Sequence, residues 1–334
     1  MNAMTRISAD PRIGLVDRWQ RDFPLCPRPY ATIGESAGLT EGEVIASLRE
    51  LAEDGRLARV GAAIRPNTAG ASTLAAMAVP TGRLDEVAAM VNAEWGVNHN
   101  YQREHPLNLW FVVTAPDRDA LDATLAIIRA RSGIDVIDLP MQRAYHIDLG
   151  FPLTGRGNAR RGVGSGAAKR APDPEDRRLL AAIEDGLPLS SRPFAAIGRN
   201  LGWSEAAVLS RLDRLVEAGI VSRLGCIVRH RALGFTANAM VAWDVADERV
   251  DSVGARVARH PNVTLCYRRT RQRPVWPYNL FAMIHGRARD GVQQNIAEIS
   301  TDAGLTDTEP AILFSRRCFK QRGARYSAAP AKVA

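Results

Sequence analysis

The sequence repeats one long module, with a constant offset of 164 residues across its most similar part. The stretch Arg28-Pro29-Tyr30-Ala31-Thr32-Ile33-Gly34 returns as Arg192-Pro193-Phe194-Ala195-Ala196-Ile197-Gly198. Later landmarks return with a drifting offset: Tyr101-Gln102-Arg103 as Tyr267-Arg268-Arg269, and Asn108-Leu109 as Asn279-Leu280. This is a duplicated module rather than a solenoid period of about 20–50 residues. Two related halves can bury equivalent faces against each other, so we expect a site where the copies differ.

Composition is ordinary for a globular chain of 334 residues, with 46% hydrophobic and 24% charged residues. No apolar run approaches the roughly 18–20 residues that span a bilayer, and residues 1–10 lack a secretory hydrophobic region. We therefore expect a cytoplasmic protein without membrane contact. The four cysteines are far apart and lack metal-ligand spacing, which predicts reduced thiols and no metal site. Residues 154–171 carry +5 of the net charge of +8 and predict a flexible Gly/Arg linker.

Each half begins with three short helical patterns. In the second half, Ser204 is the expected N-cap of the third helix and Gly219 its end. Two short strands are predicted next, over 220–224 and 226–228. Because three helices followed by a strand pair are typical of a winged helix-turn-helix, we predict one in each half, with Thr40 and Gly55 as cap and end in the first.

The pattern after each winged domain alternates between strand and helix. In the first half we predict strands at 73–80, 97–103, 107–114 and 134–147, with helices at 83–94 and 117–131. This β-α-β-β-α-β order is ferredoxin-like. The predicted fold class is α+β, a duplicated module of winged helix-turn-helix plus ferredoxin-like domain. The predicted boundaries are 1–66 and 67–153 in the first half, the linker 154–171, and 172–230 and 231–327 in the second.

A winged helix-turn-helix followed by a βαββαβ domain resembles the Lrp/AsnC family of transcriptional regulators. Further stretches narrow the resemblance: Arg103-Glu104-His105, Asn108-Leu109-Trp110-Phe111, Trp276-Pro277-Tyr278-Asn279-Leu280 and the segment Phe319 to Tyr326. They are similar to the sirohaem decarboxylases, a branch of that family. The two halves resemble its two partner subunits, fused here as in the haem d1 pathway proteins of denitrifiers.

The resemblance implies an enzyme, a carboxy-lyase that removes two acetate carboxyls of sirohaem, at C12 and C18, as CO2. The product would be 12,18-didecarboxysirohaem, and no cofactor beyond the iron tetrapyrrole substrate is implied. We expect an intramolecular pseudo-dimer whose two sheets pack face to face, with one or two tetrapyrrole clefts at the seam. Whether the fused chain also forms a homodimer stays open.

Sirohaem carries eight carboxylates, so its site needs many cations, and arginine suits carboxylates because its planar fork binds them bidentately. The candidates lie near the ends of predicted strands. They are Arg103, Arg143, Arg268, Arg269, Arg271, Arg273 and Arg317, together with Lys320. A solvated surface is the competing interpretation of these residues.

Loss of CO2 must be followed by protonation of the new methylene carbon, and histidine is the usual donor near neutral pH. We predict His105 and His146 as proton donors, or as one donor and one residue that orients the leaving carboxylate. Either could instead ligate the iron. His99 and Tyr101 are predicted to contact substrate, with packing at the core or rim as the alternative. Trp110 and Trp276 could stack on the macrocycle or pack in the core.

A DNA-binding regulator is the main rival function, because a winged helix-turn-helix ordinarily places its third helix in the major groove. Phosphate contacts need Lys and Arg. Residues 40–54 carry a net charge of −4 and residues 204–218 a net charge of −1, so DNA binding is not expected. A second alternative is a tetrapyrrole sensor, which would use the arginines without proton transfer.

Overall fold

The computed structural model of the chain describes residues 10–148, 150, 153, 168–325 and 327. The chain divides into two compact units, with boundaries between Ala69 and Gly70 and between Gly234 and Phe235. Most of the predicted linker lies outside the described residues, and the domain boundaries predicted within each half stay predictions. No described helix is long and apolar enough to cross a membrane.

The elements of the first half are α1 (Pro11–Arg18), α2 (Pro29–Ala37), α3 (Glu41–Glu53), β1 (Leu57–Ile64), β2 (Ala71–Met77), α4 (Leu84–Ala93), β3 (Val97–Arg103), β4 (Leu109–Ala115), α5 (Arg118–Ser132) and β5 (Ile137–Ile147). Those of the second half are α6 (Pro174–Ala182), α7 (Pro193–Leu201), α8 (Glu205–Glu217), β6 (Val221–Val228), β7 (Ala237–Trp243), α9 (Val250–Val257), β8 (Val263–Arg269), β9 (Leu280–Gly286), α10 (Arg289–Asp302) and β10 (Ala311–Gln321). The predicted α+β fold is confirmed in both copies.

The predicted helix caps are present in both copies. The Thr40 hydroxyl accepts the Glu43 N–H at 3.3 Å, and the Glu43 carboxylate accepts the Thr40 N–H at 2.7 Å, which forms a capping box. The Ser204 hydroxyl accepts the Ala207 N–H at 3.2 Å. Gly55 and Gly219 follow the two helices with φ of +80° and +72°, a conformation that favours glycine.

The predicted two-stranded wing is wrong, because each half contributes a single strand. Residues predicted as two strands form one continuous β6, which pairs antiparallel with β1 of the other half, Val60 opposite Cys226 and Gly61 opposite Gly225. Gly225 is not a turn. A Cβ at this position would lie 2.4 Å from the Gln20 carbonyl oxygen, so the glycine allows close backbone approach. Each of these strands finds its partner in the other copy, and the sequence next to a strand does not indicate a partner so far away in the chain.

The other unit is a closed eight-stranded barrel with strand order β10-β3-β4-β2-β5-β8-β9-β7. Its last strands are long and change partners along their length. β5 pairs with β2 over 137–140 and with β8 over 141–147. β10 pairs with β7 over 311–314 and with β3 over 315–321. Each half's sheet is therefore completed by the final strand of the other half.

The two sheets face each other across a shared apolar cluster, the inner core. Its buried members are Leu74, Ala76, Leu107, Trp110, Leu139, Met240, Ala242, Trp276, Phe281, Ala311 and Leu313. Two further clusters lie on the outer faces, where α4 and α5 cover the first sheet and α9 and α10 cover the second. The expected face-to-face packing of the two halves is confirmed, and closure into a barrel adds to it.

Candidate functional site

Two arginines at equivalent strand ends point into the barrel, and each reaches from one half to the last strand of the other. Arg103 ends β3, is 7% exposed, and donates to the Leu313 carbonyl at 3.1 Å and to the Ser315 hydroxyl at 3.0 Å. Arg269 ends β8 and donates to the Leu139 carbonyl at 2.7 Å. We call Arg103 and Arg269 the inner arginines.

Neither inner arginine forms an ion pair with any residue that the structure describes. Their guanidinium groups instead lie over the rings of Tyr101, at 5.6 Å, and Tyr267, at 5.2 Å. Burial lowers the pKa of both Arg103 and Arg269 to about 10, so both stay charged at neutral pH. A cation held at contact distance only by neutral groups is unfavourable, although the Asp138 carboxylate attracts Arg269 from farther away, and a carboxylate that enters with a ligand would relieve it. This pair is therefore suited to bind anionic groups.

His105 lies in the turn between β3 and β4, two residues after Arg103. Its Nδ1 accepts the Leu107 N–H at 3.0 Å, which requires an unprotonated Nδ1 and leaves the ring proton of the neutral form on Nε2. Burial lowers the pKa of His105. Its ring meets Trp276 of the other half edge-on, with centroids 5.4 Å apart. In this state His105 is a neutral Nε2–H donor rather than an Nε2 metal ligand.

His146 lies elsewhere in the barrel. It is 7% exposed in β5, opposite Cys266 of β8. Five positions of β5 separate it from Met141, which pairs with Arg269, a span of roughly 16 Å at the usual rise of a strand. His105 contacts the loop beyond the Arg269 end of β8, so the two predicted proton donors lie at different ends of the β5–β8 pair. Among the described residues, no three His, Cys, Asp or Glu side chains gather as metal ligands would.

His99 and Tyr101 lie together on β3. Their rings are stacked with centroids 6.2 Å apart, and the His99 Nδ1 lies 2.6 Å from the Asn98 side-chain oxygen. β3 pairs with β10 at this point, with Tyr101 opposite Cys318 and His99 opposite Gln321. The structure thus places Tyr101 beside the inner Arg103 and His99 beside Tyr101, and substrate contact by either stays a prediction.

The remaining predicted arginines already have acidic partners. Their ion pairs are Arg143 with Asp251 at 2.7 Å, Arg317 with Asp85 at 2.7 Å, Arg268 with Asp247 at 3.2 Å, Arg271 with Asp247 at 2.7 Å, and Arg273 with Asp244 at 3.0 Å. We call these five the outer arginines. Asp85 and Asp251 lie in the first turns of α4 and α9, which cover the outer faces of the sheets. The predicted cluster is therefore not one group, and among these arginines only the inner pair lacks an ion pair with a described residue.

Lys320 is bound to a helix end. Its ammonium donates to the Asn92 carbonyl at 2.6 Å and lies 3.4 Å from the Glu94 carbonyl, at the C-terminus of α4. Burial lowers the pKa of Lys320 to about 8, with Arg322 and Arg325 adding to the effect. A cation near a helix C-terminus stabilises the helix, so this contact gives Lys320 a structural role here, and its predicted contact with substrate stays untested.

Trp110 is fully buried in the inner core, where its indole N–H donates to the Leu107 carbonyl at 2.5 Å. The centroids of the Trp110 and Trp276 rings are 4.9 Å apart, so in this structure Trp110 packs in the core.

The sequence pattern did not reveal the role of Asn108 and Asn279. The Asn108 amide exchanges hydrogen bonds with the Val79 backbone, as Asn279 does with Val245, which explains the repeated Asn-Leu landmark.

Two of the three arginines on the two third helices are already used within the protein, and the third, Arg214 of α8, is exposed. Arg49 of α3 donates to the Leu189 carbonyl at 2.7 Å. Arg211 of α8 forms ion pairs with Asp173 at 2.9 Å and Asp176 at 2.8 Å. Since phosphate contacts need available cations, these bonds add to the acidic charge of the helices in disfavouring a DNA-binding role.

The chain matches two protein families. Residues 69–146 and 232–320 match the AsnC-like ligand binding domain, and residues 14–57 and 176–221 match the siroheme decarboxylase NirDL-like HTH domain. It is 49% identical to the "Siroheme decarboxylase NirDL subunit" of Paracoccus denitrificans (strain Pd 1222), over 94% of this chain and 97% of that protein.

Solved structures agree with this assignment. The crystal structure of the siroheme decarboxylase NirDL has a TM-score of 0.68 at 29% identity, covering 96% of this chain and 95% of that one. A second structure, of NirDL in co-complex with an iron-uroporphyrin III analogue, has a TM-score of 0.65 at 28% identity, covering 96% and 94%. The chain therefore belongs to the siroheme decarboxylase family, in the form that carries both halves on one polypeptide.

Proposed function

We propose that this chain binds sirohaem at the barrel and removes its two acetate carboxyls at C12 and C18 as CO2, in haem d1 biosynthesis. The observation that carries the proposal is the pair of inner arginines, which are charged and desolvated and form no ion pair with any described residue. An octacarboxylate ligand supplies the missing anions. Membership of the family supports the same substrate.

The inner arginines would bind carboxylates that do not react. Each guanidinium is anchored to a carbonyl of the opposite half, Leu313 for Arg103 and Leu139 for Arg269, so its position is fixed before a ligand arrives. Fixed donors in a site of low dielectric hold an anion in one orientation without reorganisation. The macrocycle would thereby be oriented relative to His105.

The reaction consumes one proton for each CO2 released. The carbon–carbon bond to the carboxylate breaks, its electron pair enters the macrocycle, and a proton added at the methylene carbon completes the methyl group. His105 is our proposed donor. It rests neutral because it is partly buried, but carboxylates brought by the substrate favour the imidazolium, so a proton would be taken up as the substrate binds. That proton would go onto Nδ1, which then releases the Leu107 N–H, and the Nε2–H is the proton given to carbon.

His146 is the second histidine that we propose to take part in the reaction. Its distance from the Arg269 end of β8 argues against two histidines acting on one carbon at once. A large substrate with acetates on different rings could meet each histidine separately, or His146 could orient a carboxylate.

Further proposals concern the setting of the reaction. We propose that no organic cofactor is needed beyond the iron tetrapyrrole substrate, and that the enzyme works in the cytoplasm. The fused chain could form a homodimer in addition to its internal pseudo-dimer. Light scattering of the purified protein would determine this directly.

The test is anaerobic incubation of the purified protein with sirohaem, followed by mass analysis of the tetrapyrrole. We expect loss of the mass of two CO2. His105→Ala should still bind sirohaem and lower turnover by about 100-fold or more, as expected for removal of a general acid. His260→Ala is the matched control, because the His260 Nδ1 likewise accepts a backbone N–H two residues on, from Asn262 at 3.3 Å.

Unchanged sirohaem that stays bound to the wild-type protein would contradict the enzyme and favour the tetrapyrrole sensor. Equal loss of turnover in the His105 and His260 variants would remove His105 from the mechanism while leaving the activity in place.

A further inference from the structure

His105 and Trp276 occupy the same position in the two copies. Since Asn108-Leu109 corresponds to Asn279-Leu280, the preceding His105-Pro106-Leu107 corresponds to Trp276-Pro277-Tyr278. These counterparts meet inside the barrel, with ring centroids 5.4 Å apart and planes at 75°. The approximate symmetry of the barrel is thus broken at this contact, where one half places an imidazole and the other an indole.

Trp276 is held rigidly. It is completely buried, and its ring contacts Trp110 at 4.9 Å, Tyr278 at 4.8 Å and Phe281 at 5.9 Å. Its indole N–H has no hydrogen-bond partner among the described residues. Packing on several sides therefore fixes the indole, and the indole in turn forms a fixed wall against His105.

His105 is restrained at two places. The Leu107 N–H holds its Nδ1, and Trp276 provides its one close ring contact in the described structure. Rotation of the imidazole would break the first restraint or collide with the second. No described residue accepts the Nε2–H, so its direction in the neutral ring is set by these two contacts, and the Trp276 contact remains once Nδ1 takes up a proton.

We propose that Trp276 is a positioning residue for His105, which fixes the direction of the Nε2–H and leaves the chain with one reacting group at this pair of equivalent positions. The proposal rests on the proposed function, because His105 is the donor in that scheme. In the second half, Trp276 restrains His105 from the position at which a symmetric dimer would carry a second histidine.

The charged groups near His105 are few. Arg103 precedes it by two residues, and Glu104 is adjacent and held by Arg289 at 2.7 Å and Arg316 at 3.3 Å. Substitution of Trp276 changes none of these charges. A change in the titration of His105 in such a variant would therefore report lost burial and lost restraint rather than a new electrostatic partner.

The test compares Trp276→Leu, Trp276→Phe and a control, Trp243→Phe. Trp243 is equally buried and also has an indole N–H without a partner in the described structure. It belongs, however, to the apolar cluster on the outer face of the second sheet. The measurements are the titration of His105 by NMR without substrate, the pH dependence of sirohaem turnover, and sirohaem affinity by absorbance.

We expect Trp276→Leu to move the pKa of His105 upward, towards the ordinary value of about 6.5, because water reaches the ring. The acid limb of the pH–turnover profile should move with it. Turnover should fall by about tenfold, with affinity changed less than about threefold, because misplacement of the donor affects chemistry more than binding. Trp276→Phe should recover most of the turnover, and Trp243→Phe should leave the His105 titration unchanged.

An unchanged His105 titration in folded Trp276→Leu would overturn the proposal, as would equal shifts in the Trp243 variant. If Trp276→Leu fails to fold, the smaller shift in Trp276→Phe decides the matter. Wild-type protein that converts no sirohaem would contradict the proposed function. The NMR titration needs no substrate, so it would still show whether Trp276 restrains His105.

Discussion

The inner and outer arginines of the barrel are the same residue type, repeated in both copies, yet their surroundings are opposite. On the outer face, Arg143 and Arg317 are each paired with an aspartate of the neighbouring helix and are about half exposed. Inside, the described groups in contact with Arg103 and Arg269 are carbonyls, a hydroxyl, a thioether and aromatic rings, and Asp138 attracts Arg269 only from beyond contact distance. The comparison teaches that residue type does not identify a binding arginine here. The two groups differ in whether an acidic side chain is in contact, and on this ground we propose carboxylate binding by the inner pair.

Removal of an inner arginine should have the largest effect and is the most direct way to break this comparison. Arg103→Met or Arg269→Met should weaken sirohaem binding by about 10- to 100-fold, because each removes a charge-assisted hydrogen bond worth about 1.5–3 kcal/mol. The free energy of unfolding should stay nearly constant or increase, since an unpaired buried charge is lost. Absorbance titration and urea denaturation measure the two quantities.

Opposite results for the inner arginines would show that they are structural. Unfolding made easier by several kcal/mol, with sirohaem affinity retained, would mean that the bonds to Leu313 and Leu139 hold the halves together and do not prepare a site.

The titration of His105 should produce the second-largest effect, a change of protein stability with pH. It sharpens the comparison because it tests desolvation at another residue inside the barrel. Because burial lowers the pKa of His105, the folded state binds a proton less readily than the unfolded chain. The stability of wild-type protein relative to His105→Gln should therefore be constant above about pH 6.5 and decrease below it. Thermal unfolding of both proteins from pH 5 to 8 tests this, and parallel curves would contradict it.

Lys320 offers a pH effect of the same direction on the outer side, but at higher pH. Its pKa is lowered to about 8, below that of an unfolded lysine near 10.4, so between these values the unfolded chain binds more protons. The stability of wild-type protein relative to Lys320→Met should rise as pH increases from 8 to 10. No pH dependence of that difference would mean that the ammonium is well solvated.

The outer arginines should give the smallest effect. Arg143→Ala and Arg317→Ala break exposed ion pairs worth about 0–1 kcal/mol, so unfolding should change by no more than that and the change should shrink in salt. Sirohaem affinity should stay within about threefold of wild type. A loss as large as that of Arg103→Met would abolish the distinction between the two groups.

Local features of the fold were predictable from sequence. The caps Thr40 and Ser204 act on residues three positions away, and the helix stops Gly55 and Gly219 act on the turn beside them, so the pattern alone located them. The repeated ferredoxin-like order was equally visible in the alternation of strand and helix. The duplicated landmark Tyr101 to Arg103 marked the inner arginine in both halves.

What depends on distant partners was not predictable. The wing was predicted wrongly because the partner of β1 lies in the other half of the sequence. Arg268 and Arg269 are neighbours in the sequence, yet one pairs with Asp247 and the other enters the barrel, since successive residues of a strand face opposite sides. Likewise, His105 and Trp276 lie far apart in the chain, and only the closed barrel brings them into contact.

The exchange of last strands between the halves has a consequence for how the chain is made. β3 receives its outer neighbour only from residues 315–321 of β10, so during synthesis it remains an open edge while more than 200 residues follow it. Residues 141–147 of β5 likewise have no strand partner on that edge until β8 has been synthesised. Open edges recruit other strands, and contacts this distant in sequence form slowly. A ribosome that stalls between the halves would therefore release a sheet that is prone to aggregate rather than a working domain.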